Sequence, residues 1–468
     1  MDNLKLIDCG DGRYGAFSLL SGIMLKLNER SYHILRLLVK GGDEFEIAER
    51  LRGSYREIKG VINSVSNIIH KEQIASPTKE SVLGKLQLIV TNYCNFKCRY
   101  CYADGGMYHQ QVRGQMTPEV VREVFEQFYA VYHRIKAIQI FGGEPLLNWR
   151  IIDFICNYLE QKCSKKDVPK IGMNTNLSIL PARMIEIIGQ HDIHLCVSLD
   201  GPQEINDMLR IHRSGKGTFK TVAKNICRLK EATGQPDALE VTYTMEHVKA
   251  GLTRRDVARF LRDKFGVTTI LISNVGDMGN PEGSQIRSQL LVEQGEDYFG
   301  ERLQESLGLL HEGILDFEPL KILIYLALNW GSEYYCTAGI NTISVMPNGD
   351  MYPCQLFCGK EKFYMGNCLR DGIFDNAHFG QVQGYLLDMK KDHNALCRNC
   401  FVKPYCHACI AYQYDKTNVL IPIDEAYCDR TRRTVEVAID TLFSMRTNEK
   451  IWKDFISSIY KIANWVYV

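Results

Sequence analysis

An alternation of strands and helices over residues 85–275 limits the fold of this chain more than any other feature. Six short apolar runs have the length of buried strands, and longer segments with helical spacing of apolar residues separate them. The strands are predicted at 85–90, 137–141, 170–174, 193–199, 239–244 and 268–275, and the helices at 118–133, 149–162, 181–190, 219–232 and 254–265. Strands that alternate with helices pair in parallel through right-handed crossovers. The pattern predicts an α/β fold, either an open sheet or a partial (β/α)6 barrel, with its functional residues at the strand ends.

The flanking regions have patterns of their own, so the 468 residues divide into four predicted parts. Residues 1–75 contain three strand-like runs and then three helical patterns, the third with an apolar stripe from Ile58 to Ile69, which favours a winged helix. A linker is predicted from Ala75. We expect the barrel over 84–315, a cysteine-rich domain over 316–430 and a helical tail over 431–468. Within the cysteine-rich domain, Asn348-Gly349 predicts the turn of a hairpin.

Charge and hydropathy argue against two classes of partner. The net charge of +1 gives no electrostatic footprint for nucleic acid, and no apolar run is long enough to span a membrane. The first residues lack the pattern of a signal peptide, so a cytoplasmic protein is expected. In a reducing compartment, clustered cysteines are expected to be metal ligands or catalysts and not disulfides.

Three cysteines follow the first predicted strand of the barrel. Cys94, Cys98 and Cys101 have C-x3-C-x2-C spacing. A cubane iron–sulfur cluster has four irons, so three cysteines would leave one iron open to a small molecule. A structural zinc site is the alternative, but it needs a fourth protein ligand, and His109 is eight residues beyond Cys101.

A second motif follows the second predicted strand. The sequence FGGEP, residues 141–145, combines two glycines, which allow close approach to the backbone, with an acidic side chain. Together the two motifs resemble those of the radical S-adenosylmethionine (SAM) enzymes. The resemblance implies that SAM binds the open iron and is cleaved to a 5′-deoxyadenosyl radical, which removes a hydrogen atom from a substrate.

The resemblance also assigns residues. It implies that Cys94, Cys98 and Cys101 hold the SAM-binding cluster and that the loop after the second strand cradles the methionine part of SAM. Glu144 would accept from an amino group. The residues expected to bind SAM are Gly142, Gly143, Glu144, Pro145, Asn176, Ser198 and Arg210.

A second set of cysteines lies between residues 336 and 428. Its paired C-x2-C units would suit zinc, yet next to a radical SAM core the pattern resembles the SPASM domain, which carries two auxiliary [4Fe–4S] clusters. The resemblance implies one cluster on Cys397, Cys400, Cys406 and Cys428, and another on Cys336, Cys354 and Cys409. The second cluster then takes Cys358 or Cys368 as its fourth ligand, or keeps an open iron. Cys406 and Cys409 are separated by two residues where the family usually has three, which departs from its pattern.

Residues 1–75 have eleven Lys or Arg against ten Asp or Glu, which provides little drive toward DNA. The module resembles the peptide-recognition domains of peptide-maturing radical SAM enzymes, in which a leader peptide adds as a strand beside the third helix. Met24–Lys26 and Tyr55–Ile69 are the expected lining. The alternative is a purely structural extension of the barrel.

The combined parts predict a maturase that cross-links a ribosomally made precursor peptide, with a Cys-derived thioether as the preferred product. It would use SAM, three [4Fe–4S] clusters and a flavodoxin-type electron donor. Three alternatives stay open: carbon–carbon cross-linking, formylglycine formation as in anaerobic sulfatase maturation, and a non-enzymatic zinc-binding regulator.

Overall fold

The computed structural model describes residues 4–10, 12–18, 21–69, 81–108, 112–276, 287–292, 298–373, 376–421 and 425–463. The predicted linker from Ala75 to residue 80, and His109, lie outside these ranges. No helix among the described residues combines the length and the apolar character that crossing a membrane requires.

The described strands, labelled β1 to β12, are Leu4–Asp8, Tyr14–Ser18, Met24–Leu27, Val82–Thr91, Arg134–Gly142, Lys170–Thr175, His194–Ser198, Ala238–Tyr243, Thr269–Asn274, Leu315–Asp316, Thr342–Val345 and Met351–Tyr352. The described α-helices, labelled α1 to α17, are Glu29–Val39, Glu44–Arg50, Tyr55–Ile69, Pro118–Val131, Trp149–Lys162, Ala182–Gln190, Gln203–Leu209, Phe219–Thr233, Met245–Lys249, Arg254–Phe265, Tyr298–His311, Phe317–Ala327, Ala377–Leu387, Ala395–Arg398, Ile410–Thr417, Glu425–Thr447 and Glu449–Ala463. Single 3₁₀ turns lie at Pro145–Asn148, Gln355–Phe357, Glu361–Phe363, Lys391–His393 and Lys403–Tyr405.

The six strands and five helices predicted for the barrel are confirmed, with ends that differ by only a few residues. Strands β4 to β9 pair in parallel and in chain order. Helices cover the outer face of this sheet, so residues such as Leu88, Ile140 and Val197 are fully buried. The structure confirms the mixed α/β fold with a parallel sheet at its centre. The short helices α7 and α9 were missed because each spans only one or two turns.

Local sequence signals set the ends of the covering helices. Thr117 accepts a hydrogen bond from the Val120 backbone N–H at the start of α4, where Pro118 occupies the first helical position. Thr253 and Asp256 form a capping box at the start of α10. Gly266 ends that helix at a φ of 63°, a conformation that glycine adopts without strain. These caps orient each helix for the return to the next strand.

The cysteine-rich region is joined to the barrel through the sheet itself. The predicted hairpin is present as β11 and β12, in which Val345 pairs with Met351. Strand β11 also pairs in parallel with β4, which extends the sheet beyond the barrel strands. Residue Gln355, just after the hairpin, is therefore held beside the first barrel strand.

The N-terminal part forms the predicted three-stranded sheet, which is antiparallel in the order β1-β2-β3, followed by helices α1 to α3. One face of the sheet packs into a core shared with the C-terminal helices, where Ile7 and Phe17 contact a cluster that includes Val435 and Phe443. Lys5 also pairs with Glu436 at 3.0 Å. The C-terminal helices thus hold the N-terminal sheet against the rest of the chain.

Candidate functional site

A cavity of about 450 Å³ opens at the carboxyl ends of the barrel strands. Nine of the predicted site residues line it, namely Cys94, Cys98, Cys101, Gly142, Gly143, Glu144, Asn176, Ser198 and Arg210. Pro145 does not line the cavity, because it is buried at the first position of a 3₁₀ turn. The parallel sheet therefore brings together side chains that are more than a hundred residues apart in sequence.

The cysteine loop is held by backbone hydrogen bonds on both sides. The Cys94 N–H donates to the Gly105 carbonyl at 2.8 Å, and the Arg99 N–H donates to the Leu209 carbonyl at 3.0 Å. The Arg213 side chain also donates from Nε to the Cys94 carbonyl, at 2.7 Å. These contacts fix the loop before any metal binds.

Two of the three thiols accept hydrogen bonds in this arrangement. Cys94 Sγ accepts from the Phe96 N–H at 3.3 Å and from Asn176 Nδ2 at 3.7 Å. Cys101 Sγ accepts from the Gly105 N–H at 3.3 Å. Burial raises the pKa of Cys94 to about 12. Because metals bind thiolates, loading of this site must release protons.

The glycines of the Gly-Gly-Glu-Pro loop are required by the cysteine loop that crosses them. Gly142 has a φ of 153°, and a Cβ there would lie 2.4 Å from the Thr91 carbonyl oxygen. A Cβ on Gly143 would lie 2.2 Å from the Tyr93 carbonyl carbon. The two loops therefore pack backbone against backbone, which is a reason for the glycines beyond the predicted approach of a ligand.

Glu144 fixes this loop to the end of β6. Its carboxylate is 1% exposed and accepts from Thr175 Oγ1 at 2.6 Å and from the Asn176 N–H at 2.7 Å. It also accepts from the Leu146 N–H at 3.0 Å. Burial raises the pKa of Glu144 to about 7 in spite of these donors. Because protein groups already occupy much of the carboxylate, its predicted role toward an amino group stays a prediction.

Arg210 is a buried cation on the opposite wall. Its Nε lies 3.0 Å from Asp200 Oδ1, and its guanidinium lies over the Tyr100 ring at 5.4 Å. The same Nε has no hydrogen-bond partner, since the carboxylate lies out of line with the N–H. Burial acts to lower the pKa of Arg210, but nearby anionic groups, chiefly Asp200, raise it above its ordinary value. Arg210 therefore presents a fixed positive charge to the cavity.

A ladder of polar side chains crosses the inner face of the sheet, and sequence reasoning missed it. The ladder consists of Gln87 on β4, Gln139 on β5, Asn174 on β6 and Glu240 on β8. Gln87 Nε2 donates to Gln139 Oε1 at 2.8 Å, Gln139 Nε2 donates to Asn174 Oδ1 at 3.0 Å, and Asn174 Nδ2 donates to Glu240 Oε2 at 3.4 Å. The sequence signal that could have revealed the ladder was a polar residue inside each of three apolar strand segments.

The orientation of the ladder is fixed at both ends. The Gln355 N–H donates to Gln87 Oε1 at 3.1 Å, and a backbone N–H can only donate. An ionised Glu240 carboxylate can only accept, so each amide directs its NH₂ group toward β8. Gln139, Asn174, Glu240 and Gln355 all line the cavity. Its floor is therefore polar and continuous from the cysteine-rich region to Glu240.

We expect Gln139→Leu to destabilise the fold, because it would leave the buried Gln87 amide group without its partner on β5. The expected loss in the free energy of unfolding is about 1 to 3 kcal/mol, the cost of one unsatisfied buried group. The control is Gln127→Leu, on the outer helix α4, where Gln127 bonds only to Glu123. Urea unfolding of both variants measures the difference. Equal losses would show that the ladder does not stabilise the sheet.

The C-terminal cysteines interact electrostatically in two sets, and the assignment of each set to one cluster stays a prediction. The pKa of Cys406 is raised to about 11, first by burial and then by the nearby thiols of Cys397 and Cys400. The pKa of Cys428 is raised by burial and by the same two thiols. In the other group, burial and the thiols of Cys336 and Cys409 raise the pKa of Cys354. Each group of thiols is therefore close enough to interact electrostatically.

The candidates for the fourth ligand of the second group have different surroundings. Cys358 is near Cys354, because its Sγ lies 3.8 Å from the Cys354 carbonyl oxygen. Burial raises the pKa of Cys368, and the charged groups that add to this shift are Glu123 and Asp350 and not the grouped cysteines. Proximity thus favours Cys358 over Cys368, and an open iron stays an alternative.

No three His, Cys, Asp or Glu side chains in the described ranges converge closely enough to hold a single metal ion. Thiolates on a cubane cluster each bind a different iron, so they stand farther apart than the ligands of one ion. The finding therefore concerns single-ion sites and does not bear on clusters.

Comparison with known families matches both cysteine regions. Residues 88–263 match the radical SAM superfamily, and residues 336–401 match the SPASM iron-sulfur cluster-binding domain. The chain carries a radical SAM core and a C-terminal SPASM domain. The radical SAM match contains the cysteine triad and the Gly-Gly-Glu-Pro loop, and the SPASM match begins at Cys336.

Two curated relatives share the radical SAM core. An uncharacterized protein of Methanocaldococcus jannaschii is 33% identical over 145 residues, 31% of this chain and 48% of that protein. The radical SAM cyclopropyl synthase TigE of Paramaledivibacter caminithermalis is 28% identical over 160 residues, 31% of this chain and 32% of that protein. The chain thus spans half or less of the length of each relative.

Two solved structures share the fold over a larger part of the chain. The structure of anSMEcpe with bound AdoMet has a TM-score of 0.58 at 17% identity and covers 78% of this chain and 99% of its own. Streptococcus suis SuiB bound to its precursor peptide SuiA has a TM-score of 0.50 at 16% identity, covering 92% of this chain and 99% of its own.

The residues of the cavity fit the groups that a radical SAM core implies. Three thiols project from one rigid loop, two of them already accepting N–H···S bonds, as thiolates on a cluster do. The Nε of Arg210 is buried beside them without a hydrogen-bond partner, and it could donate to a carboxylate or a hydroxyl group of SAM. The cavity thus suits a cluster on the triad, with SAM between the triad and Arg210.

Proposed function

We propose that the chain is a radical SAM oxidoreductase that forms oxidative cross-links in a ribosomally made precursor peptide, with a Cys-derived thioether as the product. One observation carries the proposal. The cavity extends from the cysteine triad to Gln355 and Leu356, the two residues that follow Cys354 of the SPASM domain. A substrate in it would contact both cysteine regions at once. The precursor peptide bound to SuiB, a protein of similar fold, supports a peptide as the substrate.

The proposed cofactors are SAM and three [4Fe–4S] clusters. Cys94, Cys98 and Cys101 would hold the cluster that binds SAM, and the two groups of SPASM cysteines would each hold an auxiliary cluster. When bound, these groups supply a 5′-deoxyadenosyl radical, which takes a hydrogen atom from the substrate, and an acceptor for the electron that remains. The hydrogen bonds of the cysteine loop would hold the first cluster in position, and Arg210 and the polar floor would orient the bound molecules.

The proposal is tested with the reduced full-length protein, SAM and the precursor peptide encoded beside its gene. Thioether formation replaces one C–H and one S–H bond with a C–S bond, so the product is lighter by two hydrogens for each link. The linked cysteine also no longer reacts with iodoacetamide. Loss of two hydrogens with the thiol still reactive would indicate carbon–carbon cross-linking, and conversion of a cysteine to formylglycine would support the sulfatase-maturase alternative.

We further propose that residues 1–75 bind the leader part of the precursor. Strand β3 is an edge strand of the small sheet, so its outer side offers backbone groups to an added strand. Leu25 on β3 and Val61 on α3 are half-buried at the same apolar cluster. An extended peptide could pair with β3 and place apolar side chains beside them. The near balance of charge in this module is a further reason to prefer a peptide over DNA.

Leu25→Ser is expected to weaken precursor binding about tenfold, because a buried leucine contact is worth ~1.5–3 kcal/mol. The control is Arg36→Ser, since Arg36 is exposed on helix α1 and lies outside the expected lining. Calorimetric titration of the full chain with the precursor measures both affinities, and melting temperatures confirm that both variants fold. Equal binding by the two folded variants would place the leader elsewhere.

A further inference from the structure

Lys391 is a buried cation that the proposed reaction does not use. Its side chain, at the start of a 3₁₀ turn, is only 1% exposed. Nζ donates to the carbonyl oxygens of Ser332 and Lys403, both at 2.8 Å. Among the described residues, none of the carboxylates lies within ion-pairing distance of this ammonium group.

The neighbouring lysines differ in this respect. Lys390 has a side chain that is 38% exposed, and it pairs with Glu333 at 3.0 Å. Lys403 pairs with Asp392 at 2.5 Å. Lys391, the buried lysine of the three, is thus the one without a carboxylate partner. Buried charges usually require such a partner.

The surroundings of Lys391 show what could balance its charge. Nζ lies 5.7 Å from the centre of the Tyr335 ring, and the Tyr335 hydroxyl lies 3.0 Å from Cys397 Sγ. Burial lowers the pKa of Lys391 to about 8, whereas the nearby thiols of Cys406 and Cys397 act to raise it. The groups whose negative charge would act on Lys391 are therefore the cysteines of the first auxiliary group, once they are thiolates on a metal.

We propose that Lys391 is the buried counter-ion of the metal centre on Cys397, Cys400, Cys406 and Cys428, and that it sets the reduction potential of that centre. The inference rests on the auxiliary cluster of the proposed function. A [4Fe–4S] cluster with four thiolates is anionic, and it gains one more negative charge when it accepts an electron. In its protonated form, the Lys391 side chain stabilises the reduced form more than the oxidised form, so it raises the potential. Lys391 is a positioning residue and does not ligate iron.

The test is an anaerobic potentiometric titration of the full chain, followed by electron paramagnetic resonance. Cys94, Cys98 and Cys101 are replaced by Ala so that only the auxiliary centres contribute. We expect Lys391→Met to lower the midpoint potential of one auxiliary couple and leave the other unchanged. Lys391→Arg, which keeps the charge, and Lys390→Met, which removes the exposed neighbour, are both expected to keep the parent potentials.

Three outcomes would overturn the inference. The first is an unchanged midpoint potential in Lys391→Met at full iron content, and the second is a shift of equal size in Lys391→Arg. The third is loss of iron from both Lys391→Met and Lys391→Arg, because the charge-conserving Arg variant should preserve the centre. Iron analysis of the parent comes first: a parent without iron refutes the proposed function itself and not only the role of Lys391.

Discussion

Cys98→Ala is expected to remove about four of the twelve irons that three clusters would hold and to abolish reductive cleavage of SAM. Cys98 lines the cavity, and burial raises its pKa, so a bound metal is needed to hold this side chain as a thiolate. The measurements are iron content and 5′-deoxyadenosine released after reduction with dithionite. Both auxiliary clusters should remain, since their cysteines lie in a different domain.

The matched control for this variant is Cys156→Ala. Cys156 is buried on helix α5, in the apolar layer outside the sheet. It should keep full iron content and full SAM cleavage, with only a modest loss of stability. Release of 5′-deoxyadenosine by Cys98→Ala at the parent rate would show that SAM cleavage does not need the cysteine triad.

Gly143→Ala is expected to have the second large effect, through backbone packing and not through chemistry. The added methyl group would overlap the Tyr93 carbonyl carbon at 2.2 Å and the Cys94 nitrogen at 2.6 Å, and backbone atoms cannot move aside as a flexible side chain does. We expect a loss of about 3 kcal/mol in the free energy of unfolding, or displacement of the cysteine loop with loss of the first cluster.

Gly380→Ala provides the contrast for this second variant. Gly380 lies in helix α13, and a Cβ there would meet nothing within 4 Å. Alanine should stabilise this helix by about 1 kcal/mol. Denaturant unfolding and iron content measure both variants. A folded Gly143→Ala protein with a full first cluster would show that the close loop contact is not needed.

Local sequence patterns were sufficient for the strands and helices of the barrel and for the residues at its strand ends. The apolar runs and the caps at Thr117 and Thr253 depend on residues only a few positions apart. The placement of Cys94 and Gly143 on one cavity follows from parallel pairing, in which all strands end at the same edge. Arg210, at the end of helix α7, was expected there only from the family resemblance. These features could therefore be predicted without the structure.

Other features depend on contacts between distant residues and could not be predicted. Pairing of β11 with β4 joins residues more than 250 positions apart, and no periodicity indicates it. The Glu144 carboxylate accepts hydrogen bonds from Thr175 and Asn176, which lie at the end of another strand. The polar ladder required the register of four strands. Sequence alone could show that Gln87 and Gln139 are unusual, but not that they are bonded.

The central claim is that the cluster on Cys94, Cys98 and Cys101 leaves one iron for SAM to bind. The most direct measurement is electron paramagnetic resonance of the reduced full chain with both groups of SPASM cysteines replaced by Ala, recorded with and without SAM. We expect a [4Fe–4S]⁺ signal that changes when SAM is added. Stoichiometric zinc in anaerobically purified protein, or a cluster signal that SAM leaves unaltered, would contradict it.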